Sequence, residues 1–350
     1  MIVCYPPEAP PINLPGEFNL PDKKLLVIFN LSPEVTSTHV IVSALQAHPD
    51  ADAVLLYTAG EASEWNYLNT QHKILSNCYN IKHMALIDSG INAGTEWLTF
   101  IPNSMLFRLV DYDQPVVPPE QRTYHYSLLN RIARIHRVKL VLELAQRNLL
   151  GFGAVSCGSS DKVYDYARIV PQDKLHLFPI MLDGAANESN PKRDKNGMYA
   201  YVSEITAQQL ASAVNVVSES SFDDMLGRVE CWTRGMYTEK TAKCFLARQF
   251  PLFLAVQGYV SYVRHIGFDV FDDIIDHSYD NETDPFKRIQ MVADEVQRLT
   301  SIPLPELQEL LRQNWHRLEH NAKNVSRAAD AVDLLAKQTW DHWVNTIRNS

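Results

Sequence analysis

The sequence predicts an α/β fold in two units followed by C-terminal helices. Three observations carry that reading. Apolar runs of strand length alternate with helix-periodic segments in two series, a polar stretch separates the series, and from Asp284 onward the pattern is helical to the end. At 350 residues the chain is long for a single core and suits two domains of ordinary size.

The elements follow in order. Residues 1–23 hold a proline-rich arm. "KLLVIFNLS" (25–32) reads as a strand and is followed by an apolar-periodic helix from Thr38 to Ala47. "DAVLLYTAG" (52–60) and "HMALIDSG" (83–90) are two more strands, each followed by a helix. Residues 121–150 read as a strand, a basic turn and an amphipathic helix, and "GFGAVSCG" (151–158) closes the first unit, expected to span 24–160. The second unit, 161–300, follows an exposed polar loop over 182–197. It contains a buried strand over 211–220, a helix over 238–249, a strand over 250–256, and a short helix and strand in "GYVSYVRHIGFDVF". "SIPLPE" (301–306) breaks the final helical run, so 301–350 reads as C-terminal helices whose tryptophans, Trp315, Trp340 and Trp343, pack. Two such units suggest paired Rossmann-like domains facing a cleft, with ligands beyond the carboxyl ends of the strands.

Composition narrows the function classes. The chain is 46% hydrophobic and 21% charged, as in soluble globular proteins, and its net charge of −9 argues against a surface that attracts nucleic acid as a whole. Its five cysteines are widely spaced with no Cys-x-x-Cys pair, which reads as reduced thiols in a cytoplasmic chain. The start has no basic region of the signal-peptide kind, and the longest apolar stretch, Phe250 to Val263, is too short to span a bilayer. With 13 glycines and neither a Gly-x-Gly-x-x-Gly nor a Walker loop, any phosphorylated ligand must be held by helix N-termini and basic side chains.

"YTEKTAK" (237–243) is the stretch where such a ligand fits. Thr238 is a good N-cap, which puts Glu239 and Lys240 in the first helical turn. Glu239 and Lys243 form an i, i+4 pair that also suits a solvated helix end. Lys240 is a cation at the positive end of the helix dipole, and a phosphate there would remove the conflict, leaving Glu239 to accept hydrogen bonds from sugar hydroxyls. Asn130, Arg131, Arg134, His136 and Arg137 crowd the start of the first unit's last helix. They read as a solvated basic face or as forks for an anion, Arg131 with Arg134 and Arg134 with Arg137 sharing a side at i, i+3. Glu219 stands near the carboxyl end of the buried strand "VNVVSES", where it suits a helix-cap cluster ahead of "FDDML". The aspartate-rich segment 269–284 matches no calcium loop or two-histidine site and reads as a structural acidic loop, in which Asp276 and Asp280 at i, i+4 would repel unless a cation or Arg288 intervenes. A metal-dependent phosphohydrolase built on it is the weakest of the function classes.

"YTEKTAK…PLFLAVQGYVSYVRHIGFDVFDDIIDHSYD" and "LNRIARIHRVKLVLELAQRNLL" resemble a group of glycosyltransferases common in bacteriophages, over roughly residues 128 to 290. The Glu-Lys pair at a helix start is also similar to the donor motif of the α-1,3-fucosyltransferases, two-domain enzymes of the GT-B class. The resemblance implies a GT-B-like fold, in which the last helix returns to the first unit. It also implies a nucleotide-sugar donor, UDP- or GDP-linked, bound in the C-terminal unit with no metal required, and an inverting transfer to a hydroxyl. The acceptor would be a hydroxymethylated base in phage DNA or a glycan. It makes Thr238, Glu239, Lys240, Lys243, Glu219, Arg131, Arg134 and Arg137 donor or acceptor contacts. The general base would come from Asp88, Asp111 or Asp113, each of which also suits an ordinary loop or cap role. Where relatives carry Asp-Glu-Ser-Tyr this chain has Asp276-His277-Ser278-Tyr279, so a catalytic role for that glutamate fails. That departure, with "KCF" in place of Lys-Pro, sustains an alternative: a non-catalytic binding or virion-associated protein on a degenerate glycosyltransferase fold.

Overall fold

The computed structural model describes residues 2–5, 14–30, 38–58, 83–88, 98–102, 110, 112–130, 133–158, 166, 170–180, 204–219, 222 and 238–350. The chain forms two compact units. The first comprises Met1–Leu106, Val229–Met236 and Ala329–Ser350, and the second comprises Phe107–Arg228 and Tyr237–Ala328.

The first unit is a five-stranded parallel sheet in the order β1-β2-β3-β4-β5: β1 (Ile2–Tyr5), β2 (Leu25–Asn30), β3 (Ala53–Thr58), β4 (His83–Asp88) and β5 (Leu98–Pro102). Leu25, Leu26, Val27 and Ile28 are all essentially inaccessible, as a parallel strand covered on both faces requires. Helix α1 (Thr38–Ala47) lies between β2 and β3 in the chain. Leu25, Val27, Ala53, Leu55, Ala85 and Ile101 cluster with Ala336, Trp340, Trp343, Val344 and Ile347 of the last helix. These two tryptophans are therefore core, and the C-terminal residues return to the first unit as expected. Two details differ from the sequence reading. The proline-rich segment is no free arm, because Ile2–Tyr5 pairs in register with Leu25–Ile28, and Leu20, Leu14 and Phe18 join the core cluster. β5 was hidden as well, since its five residues lack an alternating pattern long enough to register.

The second unit holds a four-stranded parallel sheet in the order β7-β6-β8-β9: β6 (Tyr124–Asn130), β7 (Gly153–Cys157), β8 (Ser212–Ser218) and β9 (Phe250–Leu254). Its helices are α2 (Ile135–Gln146), α3 (Ala207–Leu210), α4 (Glu239–Leu246), α5 (Tyr259–His265), α6 (Pro285–Ser301) and α7 (Leu304–Gln313). The 34-residue α8 (Trp315–Arg348) begins here and contributes its residues from Ala329 to the first unit. The expected boundary at 160 is corrected by this sheet. β6 and β7, assigned to the first unit, hydrogen-bond into one ladder with β8 and β9, and backbone pairing outweighs proximity in sequence. The expected strand in "GFDVF" is also absent. No neighbouring edge pairs with it, and Phe268 and Phe271 instead plug the core, Phe268 stacked on Phe245 at 4.2 Å and Phe271 under the Arg317 guanidinium at 4.6 Å. Among the described residues no helix is long and apolar enough to cross a membrane.

The order β7-β6-β8-β9 has one functional consequence. From β6 the chain goes outward to β7 on one side and returns with β8 on the other, so the connections after β6 and β8 diverge. Strand ends whose connections diverge in this way are where open parallel sheets bind ligands, in the crevice that the divergence leaves.

Candidate functional site

Three features meet at this switch point: the ends of β6 and β8, the start of α2 and the start of α4. Continuing the Ser127–Asn215 register brings Asn130 opposite Ser218 at the last rung, and Asn130 also pairs with Cys157 on β7. Asn130 and Ser218 are buried, yet among the described residues neither the Asn130 amide nor the Ser218 hydroxyl finds a hydrogen-bond partner. Polar atoms left over at a strand end are uncommon in a native interior.

Glu219 follows β8 and is 1% exposed. Its Oε2 accepts from Thr238 Oγ1 at 2.6 Å, and its Oε1 accepts from Thr241 Oγ1 at 2.7 Å and from the Tyr259 hydroxyl at 3.0 Å. Both carboxylate oxygens are thus occupied by protein, so Glu219 anchors α4 and is not disposed to hold a ligand hydroxyl. This charge is buried with hydroxyl donors and with one ammonium nearby, Lys240 Nζ at 3.9 Å.

The α4 start matches its sequence. Thr238 caps it, accepting from the Lys240 amide at 3.1 Å. Lys240 Nζ lies 3.2 Å from Glu239 Oε1 and keeps about a quarter of its side chain in solvent. For Glu239, burial works to raise the pKa, but the charges of Lys240 and Lys243 and the hydrogen bond to Lys240 outweigh it and hold the carboxyl below its ordinary value. Lys243 is deeper, and burial pushes its ammonium down to about 8 against the opposing pull of Glu239. Glu219 and α4 together therefore form a balanced cluster of two cations and two carboxylates, with Lys240 and Glu239, both in the first turn, its more accessible members.

The start of α2 has a different character. The helix begins at Ile135, so Arg134 is its N-cap residue in extended conformation, half-buried, with no side-chain cap. Residues 133 and 134 precede the helix and are not helical, so Arg134 is not on the helix face that its expected i, i+3 pairing with Arg131 requires. Arg131 itself lies outside the described residues. His136 and Arg137 are buried and turn onto the backbone after β8: His136 Nε2 donates to the Glu219 carbonyl at 2.9 Å and an Arg137 Nη2–H to the Ser218 carbonyl at 3.2 Å. Burial, helped by the charges of Arg137 and Arg134, holds the His136 pKa well below its ordinary value, so the ring is neutral and its Nε2 carries the donated proton. The solvated basic face is not found for these two residues.

Of the three candidate bases, Asp113 alone has a described side chain. Asp111 lies outside the described residues, and of Asp88 only the backbone is described, as the last residue of β4. Asp113 is exposed and belongs to the second unit, not the first. Its neighbour Gln114 accepts from the Ile205 amide, ahead of the amino end of β8, so the structure keeps Asp113 away from the carboxyl-end crevice.

The aspartate-rich segment serves the fold. Asp269 and Asp273 bind Arg317, Asp272 binds Arg264, and Asp280 takes the amides of Val260 and Ser261 at the start of α5. Asp284 caps α6. Among the described residues, Arg288 pairs with neither Asp276 nor Asp280. It donates to the carbonyls of Glu282 and Ala255, while Asp280 lies within a 3-10 turn over Ser278–Asn281. His277 is buried between the Val270 carbonyl and the Tyr279 hydroxyl. A polar cavity of about 510 Å³ opens between α5, this segment and α6, with Arg264 and Arg298 on its walls paired to Asp272 and Glu295.

Sequence reasoning missed Thr241 and Tyr259. Thr241 stands inside the same motif, and its spacing of three from Thr238 puts both hydroxyls on one side of a helix start, a signal that was available. Tyr259 is far along the chain and carried no such signal. Comparison of the chain with family models, curated proteins and solved structures finds no match.

Proposed function

We propose that the protein transfers a sugar from a nucleotide-sugar donor to a hydroxyl acceptor, with the donor's diphosphate held at the first turn of α4. The observation that carries this reading is Lys240, an accessible ammonium at a helix N-terminus, set beside the switch point of a parallel sheet. An incoming diphosphate would take Lys240 from Glu239 and accept the first-turn amides. Glu239, released from that pair, would accept hydrogen bonds from ribose or sugar hydroxyls. Lys243 adds a second positive charge behind it. Departure of the nucleoside diphosphate builds negative charge, which the two ammonium groups and the aligned amides are placed to stabilise. The leftover polar atoms of Asn130 and Ser218 supply further donors and acceptors at the same strand ends.

In this reading the arrangement is GT-B-like: the second unit binds the UDP- or GDP-linked donor and the first presents a DNA base or a glycan hydroxyl. Asp88, at the carboxyl end of β4, is the candidate base that remains consistent with that arrangement. Incubation with a panel of nucleotide-sugars, scored for nucleoside diphosphate release with and without hydroxymethylated DNA, tests the reading. Release from one donor that rises with one acceptor supports it. Absence of release, together with absence of any nucleoside diphosphate binding, would refute it.

A further inference from the structure

Tyr259 is the first residue of α5, about forty positions beyond Glu219, and it is fully buried. Its backbone is unusually well fixed. Gly258 adopts a left-handed conformation (φ 79°) and donates to the Asp280 carbonyl at 3.0 Å, while both Asp280 carboxylate oxygens accept from the next two amides, Val260 and Ser261, at 2.9 and 3.1 Å. The ring is held against Phe253 at a centroid distance of 5.3 Å. From this fixed base the phenol reaches the α4 clasp: its oxygen is 3.0 Å from Glu219 Oε1 and 2.7 Å from Thr241 Oγ1. Burial, and then the charge of Glu219, raise the Tyr259 pKa well above its ordinary value, so the group remains a hydroxyl at any physiological pH.

We infer that Tyr259 is a positioning residue for Lys240, acting through Glu219. The carboxylate is satisfied by hydroxyl donors, which fix its direction without cancelling its charge. Its undiminished charge then stands 3.9 Å from Lys240 Nζ and holds the ammonium over the helix start. Without the phenol, Oε1 retains Thr241 alone and the carboxylate can turn. Lys240 then has a less definite counter-charge on its buried side. α5, whose N-terminus is set by Asp280, thereby sets the accessible cation of α4 through a chain of buried hydrogen bonds.

The test compares Tyr259→Phe with Tyr126→Phe. The second variant also removes one buried hydroxyl from this unit, but that hydroxyl donates to the Leu149 carbonyl and does not touch α4. The first readout is the rate at which Lys240 is acylated by an amine-reactive ester, followed by mass spectrometry of the intact folded protein. Tyr259→Phe should raise the rate about threefold or more, the equilibrium counterpart of losing one hydrogen bond of modest net strength, and Tyr126→Phe should leave it at the wild-type value. The second readout is the dissociation constant for inorganic pyrophosphate, which should weaken by about threefold to tenfold in Tyr259→Phe only. This second arm rests on the donor-site reading, whereas the first does not. A wild-type protein that ignores pyrophosphate would sink the donor site and leave the labelling result to decide the role of Tyr259. Equal Lys240 labelling in wild type and Tyr259→Phe, or an equal rise in Tyr126→Phe, would overturn the inference. Should Tyr259→Phe fail to fold, Thr241→Val removes a hydroxyl from the same clasp and is judged by the same rates.

Discussion

Two basic stretches lead into helices at the same crevice, and they end in opposite situations. In the α2 stretch, His136 and Arg137 are buried and spend their donors on the carbonyls of Glu219 and Ser218. In the α4 stretch, Lys240 stays partly in solvent and is paired with carboxylates that a stronger anion can displace. Positive charge at a helix start is therefore not one signal. Where the donors already serve the backbone of a neighbouring strand, the residue is architecture. Where they face a replaceable counter-charge, it is available for binding. Arg134, half-buried at the N-cap of α2, stands between the two cases.

The largest expected effect comes from the architectural side. Arg137→Ala removes a buried side chain and leaves the Ser218 carbonyl without this donor. Stability should fall by about 2–4 kcal/mol, the sum of a lost buried hydrogen bond and a small cavity. Urea denaturation measures it. A variant with unchanged stability and impaired nucleotide binding would break the comparison, because Arg137 would then be a ligand contact.

Acid should test the same side more gently. Burial keeps His136 and His277 neutral in the folded protein, with pKa values lowered from 6.5. Below that pH the unfolded chain takes up protons that the folded chain refuses, so the stability present above it is lost as pH falls. The expected slope is up to about 1.4 kcal/mol per pH unit for each histidine. Denaturation midpoints between pH 5 and pH 7 for wild type and His136→Gln check this, and a parallel pair of curves would show that His136 is charged in the fold.

On the binding side, nucleoside diphosphate affinity should decline as pH rises above about 8, where the lowered pKa of Lys243 removes its charge. The loss should be a few-fold, on the scale of a partly screened charge interaction. Calorimetric titrations at pH 7 and pH 9 measure it, and Lys243→Met should abolish the difference between them. Affinity that is flat with pH in the wild type would remove Lys243 from the site.

Glu239→Gln should have the smallest effect on stability, less than ~0.5 kcal/mol, because its pair with Lys240 is at the surface edge of the cluster. It sharpens the comparison by splitting two ligands. Inorganic pyrophosphate should bind the variant more tightly, a competing carboxylate having gone, while a nucleotide-sugar should turn over more slowly. A sharp loss of melting temperature with normal turnover would return Glu239 to the role of a helix-end residue.

Much of this was legible in the sequence, for local reasons. Thr238 announced the start of α4, Asp284 that of α6, and the apolar runs around Leu25, Ala53, Val214 and Phe250 announced parallel strands covered on both faces. What stayed hidden depends on pairing across long separations. Ile2–Tyr5 becomes a strand only because Leu25–Ile28 offers it an edge, and the sheet that joins β6 to β8 fixes a domain boundary that no local pattern encodes. The role of Glu219 was hidden for a similar reason. Its neighbours in sequence suggested a cap, whereas its three hydroxyl partners come from positions 238, 241 and 259.

Lys240 carries the central claim, and isothermal titration of UDP and GDP into wild type and Lys240→Ala tests it most directly. Losing a charge-assisted contact of this kind costs ~1.5–3 kcal/mol. One of the two nucleotides should bind the wild type and bind Lys240→Ala about tenfold or more weakly, with the melting temperature of the unliganded protein nearly unchanged. Equal dissociation constants for the two proteins would contradict the account.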